Sequence, residues 1–232
     1  MGCVEQEKIS LEVKGTPLIK FQSAERIESL RKGRLYAKTL KYYRNLEKET
    51  GDDEIGDEFE AMFHVNEGYL RVPETGEEIC MNDSLIQTAN SNDFVFCMFG
   101  IYPSLEKFSF TDKQKEKMLS FGDTALIILD SDEFIRRVCE AAKREGYEAH
   151  FDAVQYFDPT FDIVNMIVSL MKGMWNIAFW KRDKYAYQQE GRFVFTPGND
   201  DDNIELNIGD ISDITAVLPA KTVLTAMVEK KS

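Results

Sequence analysis

The sequence predicts a single α+β domain over residues 1–232, built on a mainly antiparallel mixed sheet with flanking helices. Short apolar runs of strand character outnumber the stretches with helical spacing, so strands should outnumber helices. Turns rich in Asn, Gly and Pro separate most of these runs in the middle of the chain, as in a β meander. There is no Pro/Gly/Ser-rich linker and no internal repeat, which argues against division into several domains.

The N-terminal part is predicted to contain a strand, a helix and a second strand. Residues 1–17 should form a peripheral segment, and residues 18–21 form an apolar strand. Ser23 can cap the helix that follows, and residues 34–38 have strand character again. Thr39 then opens a turn or short helix. The result is a compact strand-helix-strand unit at the start of the chain.

The rest of the chain continues this mixed pattern. Strands are predicted at residues 62–66, 69–72, 78–81, 85–88, 94–102, 124–129, 149–157 and 214–218, and helices at 111–121 and from Ser131 to Gly146. Residues 193–196 and 204–208 are predicted to form a hairpin. The dense apolar run at 161–180 predicts a core helix or a homo-oligomer contact.

Acidic residues dominate the charge. The chain has 28 Lys and Arg against 41 Asp and Glu, a net charge of −13. Residues 1–50 carry a net charge of +4, whereas residues 51–93 carry −11. This field disfavours direct binding of nucleic acid and favours a basic protein partner at residues 51–93, although a solvated acidic face is the commoner use of such a run.

Several function classes lose their signatures. The four cysteines include no C-x-x-C pair, and the two histidines lie outside any zinc spacing. P-loop, Rossmann and serine hydrolase motifs are absent from the sequence. No apolar run is long enough to span a membrane and no signal-peptide pattern is present, so we expect a cytoplasmic protein without a membrane partner.

Three motifs stand in order along the chain: Y-R-x2-E at residues 43–47, D-x2-E at 57–60 and K-x3-Y-x4-E-x-R at 181–192. In these motifs the chain resembles a broad family of uncharacterised bacterial and phage proteins, whose members often lie near defence or mobile-element genes. The resemblance implies a phage or defence context and a set of candidate positions. It implies no particular reaction.

The late motif suggests a catalytic site. Glu190 and Arg192 alternate with Gly191 and should project to one side of a strand, with Gly191 leaving room for a ligand. Glu190 could act as a general base or hold a ribose hydroxyl, and Lys181 or Arg192 could hold a phosphate. The candidate catalytic residues are therefore Glu190, Arg192 and Lys181.

A second group of residues is predicted to bind the ligand. Its members are Tyr43, Arg44, Glu47, Asp57 and Glu60. We expect both groups to converge on one pocket, because dispersed charged clusters are easier to bury together than apart. The competing interpretation is a structural ion network in which Glu190 and Arg192 pair with Arg44 and Glu47, rather than a site.

Three functions follow from these candidates. The strand, helix and strand leading to a late-strand glutamate are similar to the layout of ADP-ribosyltransferase-like folds, which implies NAD or another nucleotide; Lys20 stands where those folds usually carry Arg or His. A nuclease holding Mg²⁺ on Asp57, Glu60 and Glu190 is an alternative that the acidic field disfavours. The third is a non-catalytic acidic inhibitor of a basic host nuclease or defence protein.

Overall fold

The computed structural model describes residues 11–51, 55–71, 75–87, 89–102, 107–157 and 173–229. They form a single α+β domain, mainly an antiparallel sheet of eight strands with helices, as the sequence predicts. No helix in this part of the chain is long and apolar enough to cross a membrane.

The elements are numbered in chain order. The strands are β1 (Leu18–Gln22), β2 (Arg34–Thr39), β3 (Met62–Arg71), β4 (Glu78–Gln87), β5 (Phe94–Gly100), β6 (Lys107–Ser109), β7 (Thr124–Ile128), β8 (Glu148–Ala153), β9 (Gln155–Phe157), β10 (Trp180–Arg182), β11 (Glu190–Thr196), β12 (Asn203–Asn207), β13 (Thr215–Pro219) and β14 (Met227–Glu229). The α-helices are α1 (Ala24–Arg31), α2 (Leu40–Thr50), α3 (Asp112–Phe121), α4 (Ser131–Arg144) and α5 (Ala220–Leu224). Short 3-10 helices span Met174–Phe179, Asp183–Gln188 and Ser212–Ile214.

The main sheet contains a path of six strands in the order β12-β2-β5-β1-β7-β13. Strand β11 pairs with β5 outside this path, and β8 pairs with β11. All of these pairs are antiparallel. Elsewhere in the described residues, β3 pairs with β4 and β6 with β14 in antiparallel ribbons, whereas β9 and β10 are parallel.

The sheet forks at β5. Along one edge, β11 pairs with β5 from Phe94 to Phe99. The other edge is shared, because β2 pairs with Phe94 and Val95 while β1 pairs with Phe99 and Gly100. Neither strand pairs with residues 96–98 in the described registers. Strands β1 and β2 therefore diverge on either side of Cys97 and leave a gap in the sheet.

Alternation along the strands gives the sheet two different faces. Phe96, Met98 and Phe193 lie in the largest apolar cluster, against residues of α1 and α4. On the other face, Val95 and Val194 belong to a second apolar cluster and Phe99 to a third. The polar side chains of β11 lie on this second face, so its apolar packing is interrupted by charge.

The helix ends follow local chemistry. Oγ1 of Thr39 accepts a hydrogen bond from the Tyr42 amide at 3.1 Å and caps α2, as its position predicts. Gly51 ends α2 with φ +70°, in the left-handed region that favours glycine. Asp130 caps α4, because its Oδ1 accepts a hydrogen bond from the Glu133 amide at 3.1 Å.

The predicted hairpin between residues 193–196 and 204–208 is wrong. Strand β11 pairs with β5 and β8, whereas β12 pairs with β2, with Leu206 opposite Leu35. Strands β2 and β5 lie between β12 and β11, so the two predicted hairpin strands are not neighbours in the sheet. Sequence proximity therefore gave the wrong partner for this strand.

Two further expectations change. The short strands predicted across residues 62–88 are two long strands, β3 and β4, paired from Met62 opposite Gln87 to Arg71 opposite Glu78. Of the apolar run at 161–180, residues 161–172 lie outside the described residues. In the described remainder, Trp180 and its three predecessors are buried, but Met174 is 61 % exposed.

Candidate functional site

Four of the predicted site residues meet in a buried group of charges, hereafter the inner cluster: Glu60, Lys181, Glu190 and Arg192. Arg192 donates from Nη1 to Oε1 of Glu60 at 2.5 Å and from Nη2 to Oε2 of Glu190 at 2.7 Å. Nζ of Lys181 lies 2.8 Å from Oε1 of Glu190 and 3.7 Å from Oε2 of Glu60. Two cations and two carboxylates thus balance each other away from bulk water.

The strand geometry explains the shared direction of Glu190 and Arg192. They are two residues apart on β11, where side chains alternate between the faces, so the predicted common side is confirmed. The predicted role of Gly191 is wrong. A Cβ on Gly191 would lie 3.1 Å from Cδ2 of Leu18 and 3.2 Å from Cζ of Phe151, so this glycine meets the apolar core on the other face.

Neighbouring groups hold Glu190 and Lys181 in place. The Glu190 carbonyl accepts from the Tyr102 hydroxyl at 2.8 Å, and the Glu190 amide donates to the Tyr156 hydroxyl at 2.9 Å. Nζ of Lys181 also donates to Oε1 of Gln188 at 2.7 Å. The inner cluster is therefore preorganised by a surrounding hydrogen-bond network.

The electrostatics keep Glu190, Lys181 and Arg192 charged. Burial opposes the charge on Glu190, but Arg192 and Lys181 outweigh it and hold the pKa of Glu190 well below its usual range. Burial also opposes the charge on Lys181, but Glu190 and Glu60 raise its pKa to about 12. In Arg192 the same balance favours the cation and raises its pKa. Neither Glu190 nor Lys181 is poised for proton transfer near neutral pH.

An outer group of charges lies beside the inner cluster. Arg182 bonds to Asp57 and lies 3.7 Å from Oε2 of Glu47, and Lys184 lies 3.5 Å from Oε1 of Glu47. The Glu58 amide donates to Glu47 at 2.6 Å. Sequence reasoning missed Arg182 as a site residue, although its place beside Lys181 was the available signal.

Arg44 has a positioning role. Its Nε donates to the Glu60 carbonyl at 2.6 Å and its Nη2 to the Ala61 carbonyl at 3.4 Å, where Ala61 has φ +52°. Residues 55–61 lie in turns and irregular backbone, so Asp57 and Glu60 are not on a helix. The ion network also differs from the predicted one, because Glu190 and Arg192 pair with Glu60 and Lys181 instead of Arg44 and Glu47.

A cavity of about 840 Å³ lies at the fork of the sheet, lined by residues of β1, β2, β5, α1, α2 and the inner cluster. The charged residues that line it are Lys20, Arg26, Arg34, Lys38, Glu60, Lys181, Glu190, Arg192 and Glu205. Six cations therefore face three carboxylates, the reverse of the balance in the whole chain. Of the predicted ligand-binding residues, Tyr43 and Glu60 line this cavity, whereas Arg44, Glu47 and Asp57 lie behind it.

Three of the lining cations, hereafter the fork cations, are Lys20, Arg26 and Lys38. Within the described parts of the chain, none of them has a carboxylate within ion-pair distance. Nζ of Lys20 donates to the Cys97 carbonyl at 2.6 Å, in the gap between β1 and β2, and burial lowers its pKa. Sequence reasoning named Lys20 but missed Arg26 and Lys38, because nothing local in the sequence shows that a lysine or arginine lacks a counter-charge.

Two polar side chains of the cavity are held neutral. Tyr43 is half-buried, and burial raises the pKa of its hydroxyl well above its usual value. Burial likewise raises the pKa of the Cys97 thiol to about 12. A thiol of this kind is a poor nucleophile at neutral pH.

The carboxylates do not fit the Mg²⁺ hypothesis. Asp57 already bonds to Arg182, and Glu60 and Glu190 already bond to Arg192. A Mg²⁺ ion would have to displace or repel those cations to reach the same oxygen atoms. Across the residues that the structure describes, no group of three His, Cys, Asp or Glu side chains could hold a metal ion.

Comparisons with protein-family models, with curated proteins and with solved structures found no match.

Proposed function

We propose that the protein binds a small phosphorylated ligand of the nucleotide class in the cavity at the fork of the sheet. The observation that carries the proposal is the group of fork cations, which line the cavity without carboxylate partners among the described residues. The positive charge of Arg26 acts with burial to lower the pKa of Lys20, and an anionic group bound between them would relieve that repulsion. The chain has an excess of acids, so partners for cations are plentiful elsewhere.

The form of the cavity also supports a small-molecule ligand. Its volume of about 840 Å³ lies within the range of roughly 300–1,000 Å³ of ligand sites in general. Apolar residues such as Ile19, Phe21 and Phe96 line it beside the cations. An apolar wall with a few convergent charged groups suits a ligand that carries both a ring system and phosphate.

Isothermal titration with ADP, NAD and inorganic pyrophosphate tests this proposal. We expect wild-type protein to bind at least one of these probes, and we expect binding to weaken as salt is added. Arg26→Met should weaken the affinity about tenfold, because it removes a charge-assisted contact. Lys143→Met removes an exposed lysine of α4 outside the cavity and should leave the affinity unchanged.

Two results would overturn the proposal. One is a wild-type protein that binds none of the three probes at low salt. The other is an equal loss of affinity in Arg26→Met and Lys143→Met, which would show a general charge effect rather than a site.

ADP-ribosyltransferase-like chemistry on NAD is the catalytic form of the same proposal. It is supported by the position of Glu190, on a late strand at the end of the cavity, and of Lys20, on the first strand in the gap. Release of nicotinamide from NAD by the wild-type protein tests it. A rate no higher than that of buffer alone, with NAD bound, would leave a binding protein without this activity.

The acidic inhibitor stays a prediction. The acids of residues 51–93 would attract a basic partner, but Asp57 and Glu60 from this region are buried and paired with Arg182 and Arg192. These two carboxylates are neutralised inside the protein and do not attract a partner. The acidic-inhibitor function is therefore supported less well than ligand binding in the cavity. Homo-oligomerisation through residues 161–180 is likewise a prediction.

A further inference from the structure

The mouth of the cavity carries two exposed aromatic rings. Tyr36 on β2 is 45 % exposed and Tyr42 on α2 is 37 % exposed, and both line the cavity. Nζ of Lys38 lies 5.4 Å from the centre of the Tyr36 ring and 4.6 Å from that of Tyr42. One cation therefore connects the two rings, and we call these three residues the tyrosine pair and its lysine.

The local fold fixes this arrangement. Strand β2 runs directly into α2, so a residue near the end of the strand and one in the first helical turn come close together. The Tyr42 amide is held by Oγ1 of Thr39, and the Tyr42 ring meets the Tyr43 ring edge-on with centres 5.3 Å apart. A Tyr42 ring packed on Tyr43 in this way loses little conformational entropy when a ligand stacks on it.

The cations divide into those that are engaged and those that are free for a ligand. Arg34 makes two hydrogen bonds of 2.9 Å to Glu205, so it is already neutralised. Lys20 lies deeper than the tyrosines, because its Nζ lies 4.7 Å from the centre of the buried Phe96 ring. An anionic group should therefore bind inward of the rings, near Lys20.

Resting on the proposed function, the geometry points to a ligand whose nucleobase stacks on Tyr36 and Tyr42 at the mouth while its phosphates reach inward to Lys20 and contact Arg26 on α1. A base offers a flat π face, and base-aromatic stacking tolerates different bases. Lys38 lies against both rings, which disfavours a cationic ligand at the rings. The tyrosine pair thus distinguishes a nucleotide from a phosphosugar or a free phosphate.

Titration calorimetry with ADP and with inorganic pyrophosphate tests the inference, since only ADP carries a base. In the double variant Tyr36→Leu with Tyr42→Leu, we expect ADP affinity to fall about tenfold or more, while pyrophosphate affinity stays within about twofold. The double variant with Phe at both positions keeps the rings and should keep ADP affinity. Circular dichroism and the melting temperature confirm that each variant is folded.

The outcomes separate this inference from the proposed function. If the Leu variant binds ADP as tightly as the wild type while Arg26→Met weakens it, the stacking inference fails and the phosphate site stands. Wild-type protein that binds pyrophosphate as tightly as ADP also overturns the stacking inference. Wild-type protein that binds neither probe overturns both.

Discussion

Two charged regions of one cavity differ in how their charges are balanced. In the inner cluster, Glu60 and Glu190 neutralise Lys181 and Arg192 at distances of 2.5 to 3.7 Å. At the fork, three cations line the same cavity without a carboxylate partner among the described residues, and the described neighbours of Lys20 and Lys38 are a carbonyl oxygen and aromatic rings. The charged residues of the sequence motifs thus pair with one another and stabilise the fold, whereas cations outside the motifs are left free for a ligand.

Arg192→Met should produce the largest loss of stability. Arg192 is buried and pairs with both carboxylates, so its removal leaves two buried acids with only Lys181 as counter-charge. Breaking a buried ion pair on one side costs about 3–5 kcal/mol of the free energy of unfolding. Denaturation by urea measures this loss.

A matched control removes an equally well-bonded arginine at the surface. Arg136 on α4 bonds to Glu133 at 2.7 Å and to Glu140 at 2.5 Å, in contact with solvent. Arg136→Met should change stability only slightly, because exposed ion pairs contribute little. Similar losses for both variants would remove the contrast between the inner cluster and a surface network.

Glu190→Gln should cost about 3 kcal/mol of stability, because Lys181 and Arg192 would each lose a buried carboxylate partner. Adding Lys181→Met to this variant should recover part of the loss, since fewer unpaired charges then stay buried. A Glu190→Gln protein with wild-type stability that loses only ligand binding or activity would make Glu190 a functional rather than a structural residue. Urea denaturation and titration of ADP decide between the two.

The pattern along β11 allowed part of this site to be predicted. Strand alternation alone puts Glu190 and Arg192 on one face, and that was confirmed. Their partners could not be predicted, because Glu60 comes from a turn and reaches Arg192 across 132 positions of sequence. The predicted partners Arg44 and Glu47 bond elsewhere. Arg44 donates to the Glu60 backbone carbonyl, and Glu47 pairs with Arg182.

The fold, like the site, was predictable only in part. Apolar patterns gave the α+β class and most elements, since burial on one face leaves a clear period in the sequence. The fork at β5 could not be predicted, because it depends on β1 and β2 sharing one edge of a distant strand. The cavity and the fork cations follow from that sharing, which explains why Arg26 and Lys38 were missed.

The pH dependence of stability should reflect the inner cluster. The pKa of Glu190 is lowered on folding, so the unfolded state binds more protons and its contribution is lost as pH falls below the unfolded value of about 4.3. The pKa of Lys181 is raised to about 12, so its contribution is complete below about 10.4 and is lost as pH rises towards 12. Melting temperatures measured across pH should fall at both ends.

The variant Lys181→Met tests the alkaline part of this profile. The variant should lose part of the alkaline fall, because one of the groups that deprotonate there is gone. The Cys97 thiol and the Tyr43 hydroxyl, whose pKa values burial also raises, should retain the rest. An alkaline profile identical to that of the wild type would show that other groups control it, and would contradict the raised pKa of Lys181.

The smallest effect on stability is expected at the fork. Arg26 is exposed and has no carboxylate partner among the described residues, so Arg26→Met should change the free energy of unfolding by less than about 0.5 kcal/mol. The same substitution is expected to weaken ADP binding, so stability and binding should separate at this residue, whereas at Arg192 the loss of stability dominates. Urea denaturation of Arg26→Met beside its ADP titration measures both quantities on one protein. A loss of stability near that of Arg192→Met would mean that Arg26 also serves the fold, and the distinction between the two regions of the cavity would no longer hold.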